Sequence, residues 1–593
     1  MKTKVLCIFD GFGLRIKDEN NCNALAKMPN FHRTLKDYYW ITLDADGEAV
    51  GQEKGLVGNS EVGHMNIGGL KLVPQLSFQI TKSAQSTFKL NSVVAPDQLI
   101  DPTVFLKQKF ESKHESTNRI SKTVHLIGLF STGSIHSDLR HWAGAIESAG
   151  FAGAEKIILH IISDGRDSDR QSLVATWEKF TNTFSGRLKP FEEKIFLGSL
   201  GGRFYSMDRD KNWDRIFLGC HYWFKNDIDS FIEKKCNISA QNLRNSVSDK
   251  INQVFLKNNN VKENYSTSQN SNLENISGNL KFLTGNYYFS EVYDEDLYPT
   301  VYPDCLIDKG DTIWLLNFRS DRMKQMTAML CDINKEFDLN LDILAMNDYG
   351  LGIEGVDYYP IFKTKTVPNT LAETISKQSK TQLHIAETEK YAHVTFFLNG
   401  GLEKKFVGED WVVIPSNKVN SHAEKPEMKA LEITNYILDK GLGKYDYVIV
   451  NYANPDMIGH TGDIQAGVKS MEFLDEQLGR LLRGIENGGH SMILTADHGN
   501  IEFVGGYKQG ELHLTDTEHN ASPVPCIIID KTQTIQEVKN KLLSLDVSNI
   551  DEVLKQNNQI DLENQRGNVW LTDNQIPRLQ LPLYSVGLML LEI

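Results

Sequence analysis

Met492-Ile493-Leu494-Thr495-Ala496-Asp497-His498 is a short apolar run that stops on an aspartate and a histidine. Two other runs end the same way. Lys4–Phe9 leads into Asp10, and Tyr447–Val450 leads into Asn451, with Asp456 just beyond. Further runs at Val124–Phe130, Lys156–Ile162 and Cys526–Ile529 have the length and β-branched content of buried strands. Helical patterns lie between them. The best runs from Ile464 to Glu486, with Val468, Met471, Leu474, Leu478, Leu482 and Ile485 on one face and Asp463 as N-cap. Strands alternating with amphipathic helices predict an α/β fold with a largely parallel sheet. Ligand sites in such sheets gather at the carboxyl ends of the strands, so Asp10 and His498 are expected to meet in one site.

At 593 residues the chain is too long for one ordinary core, and two or more domains are expected. Hydrophobic content of 40% and charged content of 24% are those of a globular protein. A net charge of −14 argues against nucleic acid as a partner, while leaving room for anionic substrates wherever basic residues cluster. The seven cysteines are scattered without a CxxC pair, which excludes a disulfide framework and a zinc–cysteine cluster from the expectation. The first residues are too briefly apolar for a signal peptide, and no apolar run approaches the roughly 20 residues of a membrane span. A cytoplasmic protein without a membrane partner is expected. Residues 107–122 are polar and charged, and 225–280 turn rich in asparagine and serine. Both read as insertions, the second as a flexible surface excursion.

Asp456-x-x-x-His460 places a carboxylate and an imidazole on one face of a helix. Asp497-His498 follows a strand, His519 precedes Ser522-Pro-Val-Pro, and Asp10 precedes Gly-Phe-Gly. Each alone reads as a turn or cap residue. Together, mixed carboxylate and imidazole donors suit a pair of Mn²⁺- or Zn²⁺-like ions better than calcium. Ser60, in Gly58-Asn59-Ser60-Glu61-Val62-Gly63-His64, is either a nucleophile at a helix start or simply the N-cap of that helix. Arg166 (in Asp164-Gly-Arg-Asp167), Arg203, Arg209, Arg319 and Arg322 are either clamps for phosphate and carboxylate or surface partners of nearby aspartates. His136 alone reads as an ordinary histidine. Spacing thus leads to a metal-dependent α/β enzyme acting on a phosphorylated anion.

Ordered blocks carry the reading further: DGFG at 10–13, NALAKMPNF at 23–31, GNSEVGHMNIG at 58–68, GLFSTGSIHS at 128–137 and DGRD at 164–167. GGRFYSMDRDKNWDR follows at 201–215, NFRSDR at 317–322, AETEKYAHVTFFLNGG at 386–401, NYANPDMIGHTGD at 451–463, TADHGNIE at 495–502 and HNASPVP at 519–525. In these blocks the chain resembles the 2,3-bisphosphoglycerate-independent phosphoglycerate mutases, a family of the alkaline phosphatase superfamily. The resemblance implies an alkaline-phosphatase-like domain at 1–76 and 366–593, with a second α/β, substrate-binding domain inserted at 80–361 and closing on it about two hinges. It implies one metal on Asp456, His460 and His519, and another on Asp10, Ser60, Asp497 and His498. Substrate contacts would fall to His136, Arg166, Asp167, Arg203, Arg209, Arg319, Arg322 and Lys390. The implied reaction interconverts 3-phosphoglycerate and 2-phosphoglycerate in glycolysis and gluconeogenesis through a phosphoserine on Ser60, with Asp167 as general acid/base. It needs two divalent ions, manganese foremost, no 2,3-bisphosphoglycerate and no second subunit.

Some positions depart from the family pattern: Leu70-Lys71 after the NSEVGH block, Ser320 where proline is usual, and Ser131-Thr-Gly-Ser134 for a Ser-Asp-Gly-Gly-like run. None removes an implied ligand. The rival reading is a metal-dependent phosphomonoesterase of the same superfamily, which needs the same metals but no means of retaining glycerate.

Overall fold

A computed structural model describes every residue except 16–18, 92–94, 113–120, 221–222, 237–238, 240, 243–244, 246–247, 251–271, 352–357, 509–510, 514–516, 535–536, 538–539 and 541–579. The chain forms two compact units, Met1–Gln75 with Lys365–Ile593, and Leu76–Thr364.

The strands in chain order are β1 (Lys4–Phe9), β2 (Tyr39–Asp44), β3 (Thr123–Phe130), β4 (Lys156–Ser163), β5 (Ile195–Gly202), β6 (Thr300–Val301), β7 (Thr312–Leu315), β8 (Asp342–Asn347) and β9 (Tyr359–Phe362). They continue with β10 (Gln382–Glu387), β11 (Glu409–Ile414), β12 (Tyr447–Tyr452), β13 (Ser491–Thr495), β14 (Gly506–Lys508), β15 (Glu511–His513), β16 (Val524–Ile529) and β17 (Gln580–Pro582).

In the first unit the sheet order is β11-β10-β12-β1-β13-β16-β2-β17. Its centre is parallel, as the unbroken apolar runs predict, because both faces are covered. The register sets Phe9 opposite Tyr452 and Ile8 opposite Thr495, so Asp10, Asp456 and Asp497 all emerge at one edge. β16 runs antiparallel to β13, with Cys526 opposite Thr495, which returns the preceding His519 loop to that same edge. β2 in turn is antiparallel to β16, and its carboxyl end leads towards Ser60. The long helix Ile464–Gly488 covers the sheet. Asp463 caps it by accepting from the Ala466 N–H, its apolar stripe from Met471 to Ile485 is buried, and Gly489 ends it in the left-handed region at φ 61°.

The second unit has the order β6-β5-β4-β3-β7-β8-β9, parallel except for β6. Side chains alternate between its two faces. Ile313 and Leu315 pack into one core cluster, and Trp314 into the other. Within the segment expected as a flexible insertion, Asp229–Cys236 is helical and the helix Leu273–Phe289 begins, with Ile276 and Leu280 buried in the unit's core. Those apolar positions at helical spacing anchor a stretch whose overall composition reads as polar. Residues 251–271 of that segment and 113–120 of the other lie outside the described residues.

Candidate active site

Ser60 is the first residue of the helix Ser60–Gly69, but it is not the cap. Asn59 takes that place in extended conformation, its side chain accepting from the Val62 N–H at 3.0 Å. The capping alternative for Ser60 is thereby corrected, since the neighbouring asparagine satisfies the helix end and leaves the Ser60 hydroxyl to other partners. That hydroxyl donates to Asp10 Oδ1 at 3.1 Å and lies 2.9 Å from His498 Nε2. Gly63 explains how the helix comes so close. A Cβ there would sit 2.6 Å from the Asp497 carbonyl oxygen. Gly11, at φ 75°, likewise lies where a side chain would strike Asp456.

The expected ligands of the first unit come together. Asp456 Oδ1 is 3.2 Å from His460 Nε2 and 3.1 Å from His519 Nε2. The helix Asn454–Gly459 provides the four-residue spacing, with the His460 N–H donating to the Asp456 carbonyl at 3.0 Å. Asp10 Oδ1 lies 3.5 Å from His498 Nε2, and Asp497 Oδ2 lies 3.6 Å from it. His519 stacks on His498 with ring centres 4.0 Å apart.

This donor set fits cations. His460 Nδ1 faces the Thr517 carbonyl at 2.7 Å and His519 Nδ1 faces the Gly58 carbonyl at 2.9 Å, so each Nδ1 carries the proton. Their Nε2 lone pairs then confront one another at 3.1 Å, beside Asp456 Oδ1. Three electron pairs converging on one point call for a positive charge. Asp497 Oδ2 is a buried oxygen without a hydrogen bond, as a carboxylate ligand would be.

Lys390, three residues past β10, is buried with the ligands. Its Nζ is 2.6 Å from each of Asp10 Oδ1, Ser60 Oγ and Asp456 Oδ2. Expected among the substrate contacts, it stands inside the ligand group. Burial pushes the Asp10 and Asp456 carboxyls up, but the Lys390 ammonium and neighbouring imidazoles hold both well below the usual range. Burial pushes His498 down, and Asp497, Asp10 and Asp456 carry it up to about 9.

In the second unit the carboxyl ends of β3, β4, β5 and β7 supply the other expected residues. Arg203 is buried, with Nη1 2.5 Å from Asp164 Oδ1 and 2.6 Å from Asp167 Oδ2. His136 Nε2 is 3.8 Å from the same Asp167 oxygen, and its Nδ1 is buried without a partner. Burial, then Arg203 and Arg319, lower His136 to about 4, so it is neutral near pH 7. Arg322 donates to the Met207 carbonyl at 2.9 Å. Burial and the closeness of Arg203, Arg209 and Arg166 depress its guanidinium, the signature of cations crowded round a place for an anion. Arg166, Arg209 and Arg319 are more open, each 3.6–3.7 Å from an acidic group, Glu295 or Asp321.

Several residues that matter were not singled out as site residues. Asp164 accepts from Ser131 Oγ at 2.5 Å, from the Asp167 N–H at 3.1 Å and from Arg203, holding the Asp167 loop. Asn500 donates to Asp456 Oδ1 at 2.7 Å, while Asn451 and His64 contact Asp10 and Asp497. The departures find local explanations in part. Leu70 ends its helix at φ 55°, and Ser134 at φ 54° occupies a left-handed position with its hydroxyl bonded to Asp138. Ser320 has no such account beyond its carbonyl accepting from the Met323 and Lys324 N–H groups.

Fold and site together define a metal-dependent α/β enzyme, and the Metalloenzyme superfamily profile matches residues 2–556. The 2,3-bisphosphoglycerate-independent phosphoglycerate mutase of Clostridium novyi (strain NT) is 34% identical over 562 residues, covering 92% of this chain and 95% of that protein. The enzyme of the same name from Clostridioides difficile (strain 630) is 35% identical over 542 residues, covering 89% and 91%. This chain belongs to the 2,3-bisphosphoglycerate-independent phosphoglycerate mutase family. Among solved structures, the Leishmania mexicana phosphoglycerate mutase at low cobalt concentration is 24% identical over 90% of this chain and 91% of that one, with a TM-score of 0.47.

Proposed function

We propose that this protein interconverts 3-phosphoglycerate and 2-phosphoglycerate by passing the phosphoryl group through Ser60. The observation that carries the proposal is the setting of the Ser60 hydroxyl, placed by a helix start against Asp10, His498 and Lys390 beside converging ligand lone pairs. Asp456, His460 and His519 would hold one divalent ion; Asp10, Ser60, Asp497 and His498 would hold the other, with Mn²⁺ the first choice for such mixed donors. When bound, such ions neutralise charge on a transferring phosphoryl group and favour the ionised form of a nearby hydroxyl.

In this reading Ser60 has lost its proton to solvent before the reaction, and Asp167 enters the cycle protonated, to regain its proton later from the 2-hydroxyl. Ser60 attacks phosphorus in line through Oγ, the bond to the glycerate 3-oxygen breaks, and Asp167 delivers a proton to that oxygen. Arg166, Arg203, Arg209, Arg319 and Arg322 grip the carboxylate and phosphoryl oxygens, and neutral His136 offers a hydrogen bond without adding charge. Glycerate turns, Asp167 takes the proton of the 2-hydroxyl, and that oxygen recovers the phosphoryl group from Ser60. Lys390 keeps the buried carboxylates compensated throughout. The substrate is a small molecule, and the enzyme is read as a cytoplasmic monomer needing no 2,3-bisphosphoglycerate, nucleic acid or membrane. No helix among the described residues is long and apolar enough to cross a membrane.

The test is incubation of purified protein with 3-phosphoglycerate and Mn²⁺. The expected result is 2-phosphoglycerate without added bisphosphoglycerate, abolished by EDTA and by Ser60→Ala. Free phosphate without 2-phosphoglycerate would instead make the protein a phosphomonoesterase.

A further inference from the structure

Asn451 is the fifth residue of β12, and its buried amide links two parts of the ligand group. Its Nδ2 lies 2.6 Å from Asp10 Oδ2 and 3.0 Å from His64 Nε2. An ionised carboxylate only accepts, so the amide nitrogen must face Asp10 and the amide orientation is fixed. The second N–H then meets His64 Nε2, which must accept it. His64 therefore carries its own proton on Nδ1, which lies 2.9 Å from the Ser60 carbonyl oxygen and 3.1 Å from Asp497 Oδ2.

Asp10, His64 and Asp497 are close enough together to resemble a metal-binding trio. The proton inventory excludes that for His64. One nitrogen donates and the other accepts, so no lone pair remains for an ion. Its position, one helical turn from Ser60 and fully buried, suits a different task.

We propose that Asn451 and His64 form an outer bracket that fixes Asp10, Asp497 and the Ser60 backbone in register for one of the two ions, as positioning residues and not ligands. The inference rests on the two-ion reading above. The bracket runs by hydrogen bonds from Asp10 through the Asn451 amide and the His64 imidazole to the Ser60 carbonyl, and Asp497 Oδ2 lies 3.1 Å from the same His64 nitrogen without a hydrogen bond to it. It spans β12, the nucleophile helix and the turns after β1 and β13, four segments that the ion must find at fixed separations. Nearby groups of this kind change metal affinity by about 10–100-fold when removed.

The experiment is a Mn²⁺ titration of the full chain against a competing chromophoric chelator, with the Co²⁺ absorption spectrum as a second readout. Wild type is expected to bind two ions. His64→Gln keeps a polar group of similar reach but loses the Nδ1 donor, and one of the two affinities is expected to fall about 10–100-fold while the other holds. His64→Asn, whose amide nitrogen can stand near the Nδ1 position, is expected to recover most of that loss. Selective weakening with recovery supports the bracket, because a general loss of structure would lower both affinities and would not return with asparagine. Wild-type affinity at both sites in His64→Gln overturns it. A wild-type protein that binds fewer than two ions overturns the two-ion reading, and the bracket with it.

Discussion

Lys390→Met removes an ammonium that is only 4% exposed and touches Asp10, Ser60 and Asp456 at 2.6 Å each. Methionine fills similar space, so the main change is electrostatic. Without metal, two buried carboxylates lose their shared cation, a change that costs about 3–5 kcal/mol when one partner of a buried pair is deleted. At about 2 °C per kcal/mol for a unit of this size, the metal-free variant is expected to melt about 6–10 °C below wild type. Divalent ions restore the missing charge and bind only the folded form, contributing about 2.7 kcal/mol at one hundred times Kd. Thermal melts of metal-free and Mn²⁺-saturated protein measure both numbers. The deficit should be large without metal and should shrink with it. Equal melting temperatures for metal-free variant and wild type would refute Lys390 as counter-ion to the buried carboxylates.

Glu387, at the end of β10, is fully buried with one oxygen unpartnered, and burial pushes its carboxyl from 4.5 up to about 7. The folded state therefore binds this proton more tightly than the unfolded one, and stability is lost as pH rises from 4.5 through 7. Glu387→Gln should match wild type near pH 4.5 and exceed it by up to about 3 kcal/mol above pH 7 in urea titrations; no gain at high pH would contradict this. Asp164→Asn weakens a charge-assisted contact to Arg203 and loosens the Asp167 loop. Losing about 2 kcal/mol there should lower kcat/KM roughly thirtyfold, and the melting temperature should fall by no more than about 4 °C. Asn500→Leu removes the donor to Asp456 Oδ1. It should weaken the affinity of the Asp456–His460–His519 site by about tenfold or more in the chelator titration, leaving the other site unchanged.

The parallel centre of the first sheet was legible because β1, β12 and β13 are buried on both faces and read as unbroken apolar runs. Their shared direction is enough to put Asp10, Asp456 and Asp497 at one edge. β2 and β17 were not legible. β2 mixes aromatic, threonine and aspartate residues, and β17 is three residues long, so pairing rather than local pattern makes them strands. The identity of the helix cap turned on neighbours: Asn59 and Ser60 are both good caps, and sequence does not separate adjacent candidates. Asn451 was legible only as the polar end of a strand run, and His64 and Asn500 left little trace, because the bonds that join them to Asp10, Asn451 and Asp456 cross long distances along the chain. Only the four-residue step from Ser60 to His64 hinted at a shared face. Lys390 shows the same limit, since a lysine just past a strand is equally placed to meet a substrate phosphate or a protein carboxylate.

The central claim is that Ser60 carries the phosphoryl group between the two hydroxyls of glycerate. Rapid acid quench of the Mn²⁺-loaded enzyme with 3-phosphoglycerate, followed by mass spectrometry of the tryptic peptide Gly55–Lys71, tests it most directly. One added phosphoryl group on Ser60, appearing and decaying within a turnover and absent in Ser60→Ala, is the predicted result. Steady formation of 2-phosphoglycerate with that peptide unmodified at every quench time, and undiminished in Ser60→Ala, would contradict it.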